Sequence, residues 1–598
     1  MLLGHSAVSR ADLIVKANNS DLLTNSTSWI GGNVPRSIDI ASWDSTVTAA
    51  NTSSFAGFWQ VAGLSITNPG GAVTINPGGT LSLGSMGIDM GNATVDLTLK
   101  CPLMISGNQA WNVAAGRSLT ATSSTNNQSL FLGGYTLYKW GAGTTTFQGM
   151  SIQNGTFEID QGTLAISPYT WSSTLANTVT VVIGSEGTLS MGRSSGTNTM
   201  NAFVLFNGGL FTWAAIGGGS TIASTMLVGE NGGTLRMTTS SSGGVANIYS
   251  GQLAGGGALN VRNECTTSAN NRIEFSGSNS GFFGTISINA TSGNRYVRLT
   301  KSTAGSAGAE WNVAAGNRLE VAGVTVALGS LTGSGVVRGS TGTSTLVVGD
   351  RLGDAVFSGV IDNTNVVNLT KQGGSTFTLS GANTYTGATT VAGGLLVVAG
   401  SLGNSAVTVQ YSGALGGGGT IGGPVSLAGS ISPGNGIGIL TTGSQAWSEG
   451  GDYNWQVSDV GGPAGTGFDQ MVVMGSLNLN SLIAAKFSIN LWSMSPGLPG
   501  QSGAASNWDY TDPYEWIIVR TTSGILGFEE SDFAINTAPN DFEGTGGFQN
   551  STGGGAFSVA ANGNNLVLRF TPAIPEVSLA WLPSLLWIAG NVRRRRSR

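Results

Sequence analysis

The feature that most constrains this chain is a strand-and-turn unit that recurs along it. Residues 369–398 alternate small polar with apolar residues and are interrupted by glycine. The opening of this unit returns at 137–147, its middle is echoed at 275–286, and the hexapeptide Trp-Asn-Val-Ala-Ala-Gly occurs at 111–116 and 311–316. Degenerate repetition of strands and turns is typical of stacked coils that each bury one face against their neighbours. The pattern predicts an all-β fold, a β-solenoid.

Alternation within each predicted coil separates an inner from an outer face. A period of two places Val73, Ile75, Leu81 and Leu83 on one face of their strands. Glycine stands where a corner needs positive φ, and β-branched residues fill the strands. We found no convincing amphipathic helical pattern between these strands, so the sequence predicts coils without intervening helices.

Changes in composition divide the chain into segments. The strand-and-turn pattern covers 21–445 and is clearest at 369–440. Beyond it, turns lengthen and aromatic and acidic residues increase, which predicts a β-rich cap at 446–573 that blocks the last unpaired edge of the solenoid. An apolar and basic tail occupies 574–598, and we interpret 1–20 as the remnant of a leader.

Charge and apolar content exclude several classes of protein. The 598 residues are 40% hydrophobic and 9% charged, which is too apolar for a disordered chain despite 95 glycines. Five of the 25 basic residues stand among the last six positions, so the preceding chain carries 20 basic and 30 acidic residues. A net charge of −10 over that part argues against a nucleic-acid partner, which requires clustered cations.

The two cysteines do not suggest a disulfide. Cys101 and Cys265 lie 164 positions apart, which in a solenoid separates them by several coils, well beyond the reach of a disulfide. Their spacing matches no metal-binding motif. We predict two small core residues or isolated thiols.

The C-terminal tail combines three features in a fixed order. The motif Pro575, Glu576, Val577 opens an uncharged stretch that runs to position 592, and the basic residues Arg593, Arg594, Arg595 and Arg596 close it. A membrane-spanning helix needs about 20 residues and this stretch is shorter, so a transient, processed segment fits better than a permanent anchor. The arginines favour the cytoplasmic side. An ordinary hydrophobic terminal strand or a generic anchor is the alternative.

This order of parts resembles the PEP-CTERM sorting signal of exopolysaccharide-producing Gram-negative bacteria, with Val577 in place of the second proline. The resemblance implies a short C-terminal hydrophobic helix, transient insertion in the inner membrane and recognition by an exosortase-type sorting enzyme.

The N-terminus does not show a complete signal peptide, because residues 1–11 lack its charged and apolar regions. Ser9 and Ala11 could belong to a cleavage site, so our hypothesis is that translation starts upstream of Met1.

Residues 369–440 resemble the autotransporter-associated β-strand repeat family of large bacterial surface proteins. The matching segments are 369–371, 378–387, 394–396, 416–423 and 432–436. The resemblance implies a right-handed parallel β-helix that is exposed on the cell surface or shed from it. Since the chain ends in arginines instead of a barrel, it looks like a passenger module delivered by a different sorting route.

Catalytic chemistry finds little support in the residue types present. His5 is the single histidine and lies in the suspected leader, which excludes Ser-His-Asp and Cys-His machinery and histidine-based zinc sites. Paired carboxylates on a β-helix could still act on a glycosidic bond. Glu158 and Asp160 alternate onto one strand face, but two acids at this spacing are more often a solvated face.

Two further groups of acids invite the same question. Asp350, Arg351 and Asp354 lie in one predicted turn. The cap holds the densest acids beside aromatic residues, an arrangement that could form a calcium or sugar site, although a soluble cap with an aromatic core is the more ordinary interpretation. The acids are Asp509, Asp512, Glu515, Glu529, Glu530, Asp532, Asp541 and Glu543, the aromatic residues are Trp508, Tyr510, Tyr514 and Trp516, and the nearby cation is Arg520.

The function that these observations favour is that of an exported, non-enzymatic structural or adhesive β-solenoid at the cell surface or in the extracellular matrix, without cofactor or metal. Its expected partners are the sorting enzyme and an exopolysaccharide or neighbouring cell surface. The alternative is a polysaccharide lyase or glycosidase. A groove with two carboxylates and an Arg or Lys within hydrogen-bonding reach would favour the enzyme, and smooth Ser, Thr and Asn ladders would favour the scaffold.

Overall fold

The computed structural model describes most of the chain, which divides into two compact units, Met1–Gly429 and Ser430–Arg598. The described residues are 11–122, 129–167, 174–192, 199–214, 221–238, 246–265, 271–292, 295–498, 500–539 and 547–574. The predicted sorting motif and basic stop, the hydrophobic helix between them, and His5 lie outside these residues. The predicted segment limits at 445 and 573 stay predictions.

The fold is a right-handed, all-β parallel solenoid of about 17 turns, as the repeat predicted. Over the described ranges, helical structure consists of the 3₁₀ turns Ser26–Ser28, Ser302–Ala304 and Glu530–Asp532. Such short turns cannot cross a bilayer, and the part of the chain that the structure describes contains no helix that could.

Consecutive coils of the first unit pair in parallel and in register. Ile159 pairs with Ile183, and Ile183 pairs with Phe206. Farther along, the coils are shorter, since Thr389 already pairs with Val407. Coils of unequal length can stack because only the strands must align, while the corners absorb insertions. The sequence repeat is therefore degenerate even where the backbone ladder is continuous.

The strands that carry the surfaces discussed below all belong to the first unit. They are Gly79–Met90, Gln109–Val113, Thr136–Trp140, Thr144–Gln148, Ser151–Gln153, Gly155–Ser167, Val179–Met191, Phe203–Asn207, Met226–Val228, Gln252–Gly255, Arg272–Phe275, Ser278–Phe282, Tyr296–Leu299, Arg318–Ala322, Val336–Thr341, Val367–Lys371, Thr376–Leu379, Ala382–Asn383, Thr389–Val391 and Gly394–Val398.

The inner face of the coils forms one apolar core. Val73, Ile75, Leu81 and Leu83 are at most 1% exposed, which confirms the predicted inner row. Cys101 is also buried, and both cysteines are free thiols. Burial raises the pKa of the Cys101 thiol to about 12, so this side chain stays protonated and packs as a small apolar residue.

The second unit is also rich in β-structure but changes its pairing. Asp452–Val457 pairs in parallel with Phe487–Ser493, which pairs in parallel with Phe533–Asn536. Asn565–Thr571 instead runs antiparallel to both Tyr514–Thr521 and Ala556–Asn562. A closing antiparallel hairpin covers the edge that Tyr514–Thr521 would otherwise expose.

The remaining strands of this unit are Ser430–Pro433, Ile439–Thr442, Gln445–Ser448, Gln470–Val473, Leu477–Ser481 and Ile525–Leu526.

Candidate functional site on the outer face of the first unit

Both clear copies of the repeat bury a lysine at the same corner. Lys139 and Lys371 lie at equivalent positions near the ends of strands Thr136–Trp140 and Val367–Lys371, and both are at most 1% exposed. Each ammonium donates to three backbone carbonyls, two in its own corner and one in the next coil, at 2.6–3.1 Å. The acceptors are the carbonyls of Trp140, Gly141 and Gln161 for the first lysine, and of Gln372, Gly373 and Gly393 for the second. Three donors meet three acceptors, so the charge is fully solvated by the corner.

Sequence reasoning missed this role, although both lysines stand in the repeated segments. The available signal was a cation at an inward strand position, two residues before a glycine. Burial lowers the pKa of Lys139 to about 8. Burial also lowers the pKa of Lys371, but the carboxylates of Asp350 and Asp354 oppose that change. These lysines hold corners together, so the candidate site has to be sought on the outer face.

The carboxylates predicted on an outer face do lie there. Glu158 and Asp160 project from strand Gly155–Ser167, and partial burial together with the nearby Asp160 charge raises the pKa of Glu158. Asp160 accepts a hydrogen bond of 2.6 Å from the indole Nε1 of Trp140, whose side chain is 49% exposed. This bond fixes the edge of the indole and leaves its face open to solvent.

A polar cleft of about 530 Å³ extends from Asp160 across the following coils. Its lining residues are Asp160, Gly184, Ser185, Asn207, Gly208 and Asn231. Asn231 Nδ2 donates to Asn207 Oδ1 at 2.7 Å, so the amides of successive coils form a ladder. The cleft offers hydrogen-bond donors and acceptors beside an exposed aromatic ring, which suits the binding of a polar ligand.

The three residues of the predicted Asp350 turn do not converge on a site. Asp350 accepts from Gln372 Nε2 at 2.7 Å, and Arg351 donates to the carbonyl of Gly284 at 2.9 Å. Asp354 accepts from the backbone N–H of Thr376 at 2.8 Å. Each of them fastens one coil to another, which is a structural role.

A row of alternating charges, which sequence reasoning missed, runs along another outer face. Glu274 pairs in register with Arg298, and Arg298 with Glu320. Arg298 lies 2.7 Å from Glu320 and 3.7 Å from Glu274, while Arg272 and Arg318 contact the same two carboxylates. In the sequence, this row corresponds to charged residues at the same strand position of successive coils. Those positions can be aligned only when the length of each coil is known, and the sequence does not give that length.

Two of the acids predicted in the cap, Asp509 and Glu515, make contacts that stabilise the second unit. Asp509 accepts from the backbone and hydroxyl of Thr511 at 2.9 and 2.8 Å, which closes a turn. Glu515 pairs across strands with Arg569 at 2.8 Å. Asp541 and Glu543 lie outside the described residues.

The aromatic residues of the cap pack on one another. Tyr514 stacks between Trp508 and Trp516 at ring distances of 5.0 and 5.4 Å. Across the described ranges, no three His, Cys, Asp or Glu side chains approach closely enough to hold a metal ion. The stacked rings form an aromatic core within the second unit.

Comparison with protein families adds one finding. Residues 137–166 and 369–398 each match the passenger-associated transport repeat, the two segments that carry the buried lysines. No curated protein matches the chain. The repeat suggests an exported, surface-exposed protein, and together with the parallel β-solenoid it fits a secreted, autotransporter-like passenger domain.

Proposed function

We propose that this protein is a non-enzymatic structural and adhesive solenoid displayed at the cell surface or in the extracellular matrix. The observation that carries the proposal is the contrast between the interiors of the two matched repeats, which are alike, and their outer surfaces, which differ. Their interiors share the lysine corner, while the outer positions differ from coil to coil. A repeat that keeps its interior and varies its exterior is suited to presenting side chains.

The mechanism is multivalent contact. Each coil adds polar side chains to the outer face of the parallel sheet, and the strands of neighbouring coils are about 4.8 Å apart. Single hydrogen bonds from such side chains are weak, but several engaged on one polymer raise the overall affinity without any strong individual site. Exopolysaccharide or the surface of a neighbouring cell is the partner that this mechanism suits.

Attachment in the native host tests this role. Cells that lack the gene should lose retention in the matrix, and the full chain supplied in trans should restore it. A chain whose outer residues Trp140 and Asn207 are both changed to Ala should restore retention less well although its core is left intact, and Phe58→Ala is the matched control because Phe58 is exposed elsewhere. Full retention in the matrix of cells that lack the gene would contradict the adhesive role.

Delivery rests on the C-terminal tail, and we propose that an exosortase-type enzyme cleaves it near Pro575, Glu576 and Val577. Transient membrane insertion of the tail would precede release. Intact mass and cell fractionation, with and without the sorting enzyme, test this step. Loss of the tail and appearance at the surface only when the enzyme is present is the expected result; an uncut chain in the inner membrane would contradict it.

One observation favours the enzymatic alternative, a polysaccharide lyase or glycosidase. Glu274 and Glu320 flank Arg298 within ion-pairing distance, which meets the expectation of two carboxylates beside an arginine. Both carboxylates are already paired with arginines, so neither is free to act as acid or base. Release of reducing ends or unsaturated products from extracellular polysaccharide, abolished by Glu320→Gln, would establish the enzyme instead.

A further inference from the structure

The outer row that contains Trp140 continues well beyond the polar cleft. The ladder pairs Lys139 with Ile159, and the register then runs through Ile183, Phe206, Val228 and Gly255 to Phe282. The residue after each of these turns outward at the same corner. From Trp140 onward the corner row is Trp140, Asp160, Gly184, Asn207, Gly229, Gly256 and Phe283, and before Trp140 the register continues to Asn112 and Asp89.

The corner row carries two exposed aromatic rings. Trp140 is 49% exposed and Phe283 is 64% exposed. Six steps of the parallel ladder separate them, a distance of roughly 30 Å. The exposed ring of Trp140 borders the polar cleft through its bond to Asp160, and an aromatic ring beside hydrogen-bonding groups suits contact with a ligand.

Between the two rings, several positions of the corner row are glycine and have no side chain that projects from the surface. Gly184, Gly229 and Gly256 place no side chain on three of the five intervening coils. None of the three has positive φ, but a Cβ at Gly184 or Gly229 would lie 3.1 or 3.0 Å from a carbonyl oxygen of the preceding coil. The ring of Phe283 lies against Gly256, where a Cβ would meet it. Between Asp160 and Asn231 the cleft forms a trough whose walls are the carboxylate and the amides, and the corner row continues from this trough to Phe283.

We propose that this trough binds a neutral polysaccharide in an extended, β-linked conformation, with one sugar unit on each coil. The inference deepens the proposed adhesive function and rests on it for the biological role. The ladder spacing of about 4.8 Å is close to the length of one pyranose unit in an extended chain. A ligand that advances in steps of similar length can place successive sugar units on successive coils, with the same sugar face recurring on every second coil.

The chemistry of the trough selects the class of sugar. The faces of Trp140 and Phe283 suit the C–H faces of pyranose rings, and the amides of Asn207 and Asn231 suit their hydroxyl groups. Asp160 is at the trough itself, and the exposed Glu186 accepts from Gln161 at 3.0 Å beside it. Two carboxylates at the site repel uronic acids and sulfated chains, so the ligand is neutral.

The test is calorimetric titration of the full chain with three hexasaccharides. Cellohexaose is neutral and extended, maltohexaose is neutral and helical, and hexagalacturonate is anionic. We expect binding of cellohexaose in preference to the other two. Trp140→Ala should weaken it about tenfold and Asn207→Ala by a smaller factor. Phe58→Ala is the matched control, since Phe58 is 58% exposed but lies outside the corner row.

Three outcomes would overturn the inference: absence of cellohexaose binding, equal binding of hexagalacturonate, or binding that survives the double change Trp140→Ala and Phe283→Ala. Matrix retention of the same variants separates this inference from the proposed function. Retention without cellohexaose binding would support the adhesive role and contradict sugar binding in the trough. Cellohexaose binding by a chain that is not retained would support sugar binding in the trough and contradict the adhesive role.

Discussion

The two matched segments, 137–166 and 369–398, share an interior and differ on the surface. Leu137, Lys139 and Gly141 of the first segment are repeated as Leu369, Lys371 and Gly373 in the second. The outward positions of the first segment hold Tyr138, Trp140, Glu158 and Asp160, and the same positions of the second hold Thr370, Gln372, Thr390 and Ala392. Packing restricts what an inward position accepts, whereas an outward position is free to change.

This difference shows what a match to the repeat can and cannot imply. The match identifies residues that close a coil, and those residues are buried. Residues that could contact a partner lie between them, at positions that the two copies do not share. The outer face of each coil therefore has to be examined separately, and the first copy belongs to the aromatic trough while the second presents small polar side chains.

The largest effect should come from removing a buried lysine. Lys139→Met or Lys371→Met leaves three buried carbonyls without donors, and we expect the free energy of unfolding to fall by about 4 kcal/mol at pH 7. Urea unfolding followed by the fluorescence of the tryptophans, among them Trp111, which pairs in register with Lys139, measures the first change. Lys301→Met is the control, since Lys301 is exposed. A loss no larger than that of the control would contradict a shared interior.

The pH dependence of stability should differ between the two copies. The pKa of Lys139 is lowered from 10.5 to about 8, so between these pH values the unfolded chain binds more protons and stability rises with pH. The gain amounts to at most about 3 kcal/mol. Asp350 and Asp354 oppose the lowering of the pKa at Lys371, so its contribution should be smaller.

Urea titrations between pH 7.5 and 10.5 on Lys139→Met and Lys371→Met measure that difference. The increase in the free energy of unfolding between pH 7.5 and 10.5 should be reduced more by Lys139→Met than by Lys371→Met. Equal slopes in both variants would show that the acids near Lys371 do not distinguish the copies.

A smaller effect should follow from glycine replacement at the lysine corner. Gly141 has φ of +73°, and a Cβ there would meet the carbonyl of Val113. Gly116 has φ of +72° but open space around it. Thermal unfolding should show a loss of about 1 kcal/mol for Gly116→Ala and about 2 to 3 kcal/mol for Gly141→Ala. Equal losses would mean that backbone strain alone requires the glycine.

The smallest effect on stability should come from exchanging the surfaces. Tyr138→Thr together with Trp140→Gln gives the first copy the outward residues of the second. Because both side chains lie on the outer face, we expect the free energy of unfolding to change by less than about 1 kcal/mol. Thermal unfolding measures this, and a loss as large as that of Gly141→Ala would show that these aromatic residues help to hold the coil.

Much of the fold could be predicted from local patterns. The alternation at Val73 and Ile75 predicted their burial, and the copies at 137 and 369 predicted stacked coils. The shared face of Glu158 and Asp160 followed from a period of two. The indole bond to Asp160 could not be predicted, because Trp140 belongs to the preceding coil and the coil length varies.

The sequence by itself determined the class of architecture, since strand periodicity and a recurring unit require only local information. Only the tertiary structure decided which residues share a row, because coils of unequal length bring side chains together at no fixed spacing. The corner row from Trp140 to Phe283 and the charged row at Arg298 exist through strand register, and register is a property of neighbouring coils rather than of any one segment.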